Sequence, residues 1–120
     1  MNEQWVRIGA VADIPRRGAR CVATPMGELA VFRTADDAVF AIENRCPHKG
    51  GPLSEGIVHG AAVTCPLHSI VFALDTGLAM GADADENGGR VRTFRTRIAQ
   101  GELFIHADDI AVPTPMGRAA

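Results

Sequence analysis

The sequence predicts an all-β fold, an antiparallel β sandwich or small barrel. Three observations point to it. Short apolar stretches recur along the chain, divided by turn-forming residues at intervals of about 8–12 residues. No segment sustains the 3.6-residue apolar period of an amphipathic helix. Residues 44–55 and 65–69 then interrupt the rhythm with Pro, Gly, His and Cys where strands should be. Loops of that composition on a rigid β scaffold are the usual carriers of chemistry.

Each element has its own local reason. Residues 5–9, beginning at Trp5, read as a strand, and 11–15 as a short helical turn stopped by Pro15. Residues 20–24 and 28–33 are strands joined through Pro25-Met26-Gly27, where proline fixes φ and glycine tolerates the turn. The turn Ala35-Asp36-Asp37 precedes a strand over 39–43. Val58 and residues 61–64 flank Gly60 as a hairpin, and 70–74 runs into Asp75-Thr76-Gly77. One strand is expected over 91–98, and 103–106 closes the series after Gln100-Gly101. Neither a repeat nor a linker divides the chain. The expected organisation is one domain over 1–112 and a frayed tail over 113–120.

Composition narrows the function. The chain has 120 residues, 47% apolar and 22% charged, with a net charge of -2. That balance lacks the basic excess that nucleic acid or an anionic membrane would require. No apolar run is long enough to span a bilayer. The first residues lack the order of a signal peptide, so a cytoplasmic protein is expected. Three cysteines in that compartment do not suggest a disulfide framework, which turns attention to metal binding.

Two short motifs carry the chemistry: Cys46-Pro47-His48 and Cys65-Pro66-Leu67-His68. Each supplies one thiolate and one imidazole. A zinc finger usually presents paired cysteines and then paired histidines. The order here is Cys, His, Cys, His, with 16 residues between His48 and Cys65. One cysteine from each loop can bind one iron, and one histidine from each loop a second. That is the His2Cys2 ligation of a Rieske 2Fe-2S centre. Pro47 and Pro66 stiffen the loops. Gly50, Gly51 and Gly56 allow the backbone to approach closely, so that amides can hydrogen-bond to sulfur and tune the potential. Two thiolates and two neutral imidazoles leave the oxidised centre uncharged, so it accepts an electron more readily than an all-cysteine cluster. The competing readings are a mononuclear zinc site, or two proline turns with buried cysteines and surface histidines.

The run 44–56, Asn44-Arg45-Cys46-Pro47-His48-Lys49-Gly50-Gly51-Pro52-Leu53-Ser54-Glu55-Gly56, followed by Val63-Thr64-Cys65-Pro66-Leu67-His68, resembles the Rieske ferredoxin-like domains. It is most similar to the small subunit of assimilatory NAD(P)H-dependent nitrite reductase. Trp5, Asp13-Ile14-Pro15, Gly18-Ala19-Arg20, residues 30–33 and residues 39–42 extend the likeness over nearly the whole chain. The resemblance implies a Rieske-type β framework with a cluster-binding subdomain of two loops. It implies one 2Fe-2S cluster held by Cys46, His48, Cys65 and His68. It also implies a large partner subunit carrying flavin, siroheme and the nitrite site, with this chain relaying electrons and not catalytic alone. The alternative partner is an aromatic-ring dioxygenase served by a Rieske ferredoxin. A third possibility is a subunit whose metal site only stabilises the fold. High-potential Rieske proteins carry a disulfide between the loops, at positions that match Gly51 and Leu67, and a tyrosine that this chain lacks. The potential should therefore lie low, on the order of -150 mV.

The remaining residues receive plainer readings. Cys21 is expected to be a small buried apolar side chain. His59 is expected at the surface, and His106 has no functional role assigned. Lys49 is expected to be exposed. Asp83-Ala84-Asp85-Glu86-Asn87-Gly88 mimics half of a calcium loop, but Phe94 stands where the bidentate glutamate belongs. It reads as an exposed acidic turn within 81–89. The chain has no dinucleotide fingerprint, so NAD(P)H must be handled by another polypeptide.

Overall fold

The computed structural model describes residues 4–45, 52–66, 70–80 and 90–110. Ten strands run through them in three antiparallel sheets. In chain order these are β1 (Trp5–Ala10), β2 (Gly18–Thr24), β3 (Gly27–Arg33), β4 (Val39–Glu43), β5 (Ile57–His59), β6 (Ala62–Thr64), β7 (Val71–Ala73), β8 (Thr93–Phe94), β9 (Thr96–Ala99) and β10 (Glu102–His106). Single 3-10 turns occupy Val11–Asp13 and Leu53–Glu55, and a one-turn helix, α1, covers Ala107–Ile110. The all-β expectation holds, and most strands fall within two residues of their expected bounds.

The sheets are ordered β1-β10-β9, β2-β3-β4-β8 and β5-β6-β7. The four-stranded sheet lies between the other two, and the side chains of β3 explain why. Leu29 and Val31 join one buried cluster with Val39, Ala41, Phe94, Leu103 and Ile105. Ala30 and Phe32 join another with Ile42, Leu53, Val58, Val63, Cys65, Ile70 and Phe72. Successive side chains on a strand point to opposite faces. The unbroken apolar run 29–32 is thus the mark of a strand buried on both sides. Phe32 and Phe72 are fully buried, each worth about 1.5–3 kcal/mol of apolar burial.

Two features depart from the sequence reading. The expected strand over 91–98 is two strands: β8 pairs with β4, and β9 pairs with β10. The switch falls at Arg95, whose backbone amide donates to Asp109 Oδ2 at 2.7 Å instead of joining either ladder. The second departure is α1, which carries that aspartate.

The β5–β7 sheet is inserted between β4 and β8, which are neighbours in space. Ala41 pairs with Phe94 and Ile42 with Thr93. The Glu43 amide donates to the Arg92 carbonyl at 2.9 Å. The chain therefore leaves the central sheet and returns to it at one place. The expected tail over 113–120 and the acidic turn over 81–89 lie outside the described residues.

Candidate functional site

The inserted sheet carries at its ends the two segments in which the sequence predicts the ligands. The first begins where β4 ends and returns through Pro52 into the turn Leu53–Glu55 and then β5. The second leaves β6 at Cys65 and re-enters β7 after Ile70. Cys46, His48 and His68 lie outside the described residues, as does Lys49. Cys65 lies within them.

Cys65 is 1% exposed, within the apolar cluster that also holds Leu53, Ile70 and Phe72. Its amide donates to the Ile70 carbonyl at 2.8 Å, closing the second segment at its root. Leu53, fully buried in the same cluster, anchors the returning end of the first segment. The Gly56 amide donates to the Leu53 carbonyl at 2.9 Å and completes that turn. The described ends of the two segments, Leu53 on one side and Cys65 and Ile70 on the other, thus share one apolar cluster.

Gly56 brings the two roots together. Its φ is -78°, open to any residue. A Cβ there would stand 2.2 Å from the Thr64 carbonyl oxygen and 2.9 Å from Val63 Cγ2. Only glycine lets the backbone after the first segment lie against the residue that precedes Cys65.

At the start of the first segment stands Asn44, a buried polar residue that sequence reasoning did not single out. Its Oδ1 accepts a hydrogen bond from the Ser54 amide at 2.8 Å. Its Nδ2 donates to Glu28 Oε1 at 2.8 Å. The signal that could have found it is its position two residues before a ligand motif, where an Asn side chain readily bonds to backbone.

Cys21 corrects an expectation. It is exposed, because β2 is the edge strand of its sheet. Its thiol donates to Ser54 Oγ at 3.4 Å and accepts from Asn44 Nδ2 at 3.5 Å. His59 is exposed as expected, its Nε2 lying 2.7 Å from Thr64 Oγ1. His106 is buried, edge-on to Trp5, and its Nδ1 accepts from the Asp108 amide at 3.1 Å. That places His106 in the framework, away from the inserted sheet.

Cys65, the one predicted ligand among the described residues, fits an iron–sulfur centre. A buried thiol beside a closed loop, on a floor shared with the other ligand-bearing segment, suits a thiolate ligand shielded from water. Among the described residues no three His, Cys, Asp or Glu side chains gather into a metal site. No helix among them is long and apolar enough to cross a membrane.

The comparisons with known proteins agree. The family model for a Rieske-like [2Fe-2S] domain matches residues 4–106. The chain is 30% identical over 105 residues to the ferredoxin component of the naphthalene 1,2-dioxygenase system of Pseudomonas aeruginosa, covering 88% of this chain and 97% of that one. It superposes with a TM-score of 0.72 and 27% identity on a chain in a complex of oxygenase and ferredoxin in carbazole 1,9a-dioxygenase, covering 88% of this chain and 94% of that one. It superposes with a TM-score of 0.75 and 25% identity on a chain described as an NADH-dependent nitrite reductase small subunit from Mycobacterium tuberculosis, covering 88% and 96%.

Proposed function

Because the chain belongs to the Rieske-like [2Fe-2S] domain family, we propose that it is the ferredoxin component of a ring-hydroxylating oxygenase system, carrying single electrons from a reductase to the oxygenase in the cytoplasm. Membership makes it a Rieske electron-transfer protein with one 2Fe-2S cluster. The observation that carries the finer reading is a sequence likeness running almost end to end along a dioxygenase ferredoxin.

The cluster, when bound, takes up and releases one electron at a time. Cys46 and Cys65 would hold one iron, and His48 and His68 the other. Cys65 does its part by being dry: an apolar surround excludes water from the thiolate and keeps its geometry fixed. Neutral imidazoles leave the centre less negative than four thiolates would, which sets the potential within the Rieske range. Nicotinamide chemistry belongs to a separate reductase, since the chain carries no dinucleotide fingerprint.

The nitrite reductase small subunit, with its flavin and siroheme partner, is the second reading. It is favoured by the 0.75 superposition and by the run His-Lys-Gly-Gly-Pro-Leu-Ser-Glu-Gly over 48–56. The two readings differ in who accepts the electron. In stopped-flow mixing of the reduced protein, the naphthalene-type dioxygenase should reoxidise it rapidly, and a siroheme nitrite reductase large subunit should do so much more slowly. The opposite order would overturn the ferredoxin reading in favour of the second.

A further inference from the structure

One side chain ties together the two ends of the first ligand segment. Asn44 is 9% exposed, and its backbone amide donates to the Glu28 carbonyl at 3.0 Å. Its Oδ1 accepts from the amide of Ser54, ten positions on. Its Nδ2 donates to the Glu28 carboxylate and reaches the Cys21 sulfur. The orientation of the amide is forced. The Ser54 N–H can only donate and the ionised Glu28 carboxylate can only accept, so a flipped amide would face two mismatches. Between Asn44 and Ser54 lie Cys46 and His48.

We propose that Asn44 is a positioning residue for the cluster: its side chain fastens Ser54 to the end of β4 and to β3, fixing where the segment that carries Cys46 and His48 in sequence leaves the framework and where it returns. This rests on the ligand assignment given above, but not on the identity of the electron partner. Holding the ends lowers the entropy cost of ordering the residues between them when the cluster binds. The bond to Glu28 does the aiming, since a charged acceptor fixes which end of the amide faces Ser54.

The test uses full-length protein loaded with iron and challenged with a chelator, with the loss of visible absorption timed. Asn44→Asp keeps an acceptor for the Ser54 amide but sets two carboxylates against each other. It should lose its cluster at least tenfold faster than wild type, with faster hydrogen exchange at the Ser54 amide. Asn44→Asp combined with Glu28→Gln restores the pair in reverse: the side-chain amide now stands on β3 and donates to the carboxylate at position 44. The double variant should return the lifetime to within about threefold of Glu28→Gln alone, which retains an oxygen acceptor. A merely structural asparagine would instead lower the melting temperature of the iron-free protein in step with the cluster lifetime. Wild-type lifetimes in Asn44→Asp and Asn44→Ala, or no rescue in the double variant, would overturn the proposal. Cys46→Ser is the control for the ligand assignment itself. If that variant retained full iron and sulfide, the fault would lie there and not with Asn44.

Discussion

Asp109 receives three hydrogen bonds from a single residue. Its Oδ2 accepts from the Arg95 backbone amide at 2.7 Å and from Nε at 3.0 Å, and Oδ1 accepts from Nη2 at 2.8 Å. The side-chain bonds from Arg95 hold the carboxyl below the usual aspartate range, against the opposing effect of burial. A depressed folded value means that the stabilisation is present above the unfolded value and disappears as pH falls through the folded one. Asp109→Asn should therefore unfold at lower urea than wild type at pH 7, and the gap should close in acid below the usual carboxylate range. A gap that stayed constant from neutral pH into that acid range would show that ionisation of Asp109 contributes nothing. The same contact explains why a single residue decides where one strand becomes two.

At the level of elements, the hairpins were legible because apolar alternation and turn residues are local signals. β2, β3 and β4 follow from the Pro25-Met26-Gly27 and Ala35-Asp36-Asp37 turns alone. The break between β8 and β9 was not legible, since the group that captures the Arg95 amide sits fourteen residues away. Cys21 was misjudged for a related reason: burial depends on whether a strand is central or at an edge, and strand order is not written locally. The ligand motifs stood out by composition, whereas Asn44 did not, because its role depends on Glu28 and Ser54 arriving from elsewhere in the fold. Gly56 was readable as a glycine that permits close approach, but its neighbour was not. Gly56→Ala should force β5 away from Thr64 and cost about 2–3 kcal/mol of stability in urea unfolding. An unchanged unfolding midpoint would mean that the inserted sheet yields there freely.

For the whole molecule, the two buried clusters divide the work. Among the described residues, the cluster of Val11, Ile14, Leu29, Val31, Val39, Ala41, Phe94, Leu103 and Ile105 takes none from the inserted stretch. The other cluster joins Ala30, Phe32 and Ile42 of the central sheet to the floor beneath Cys65. Local stability follows such packing units. Stripping the iron with a chelator should therefore raise amide exchange in β5–β7 and at Cys65, while Leu29, Val31, Leu103 and Ile105 remain protected. Hydrogen exchange followed by mass spectrometry can read this directly, and a uniform loss of protection would show that the metal supports the entire fold.

The adjoining exit and entry at Glu43 and Arg92 have a consequence for how such a protein can change. The chain of the redox head enters and leaves its handle at one joint, so the head's loops can lengthen or shorten while β4 and β8 keep their pairing and the shared floor of Phe32, Ile42 and Phe72 is kept. Variation in potential or in partner preference can accumulate in those loops while the cluster of Leu29, Val31, Leu103 and Ile105 stays packed as it is.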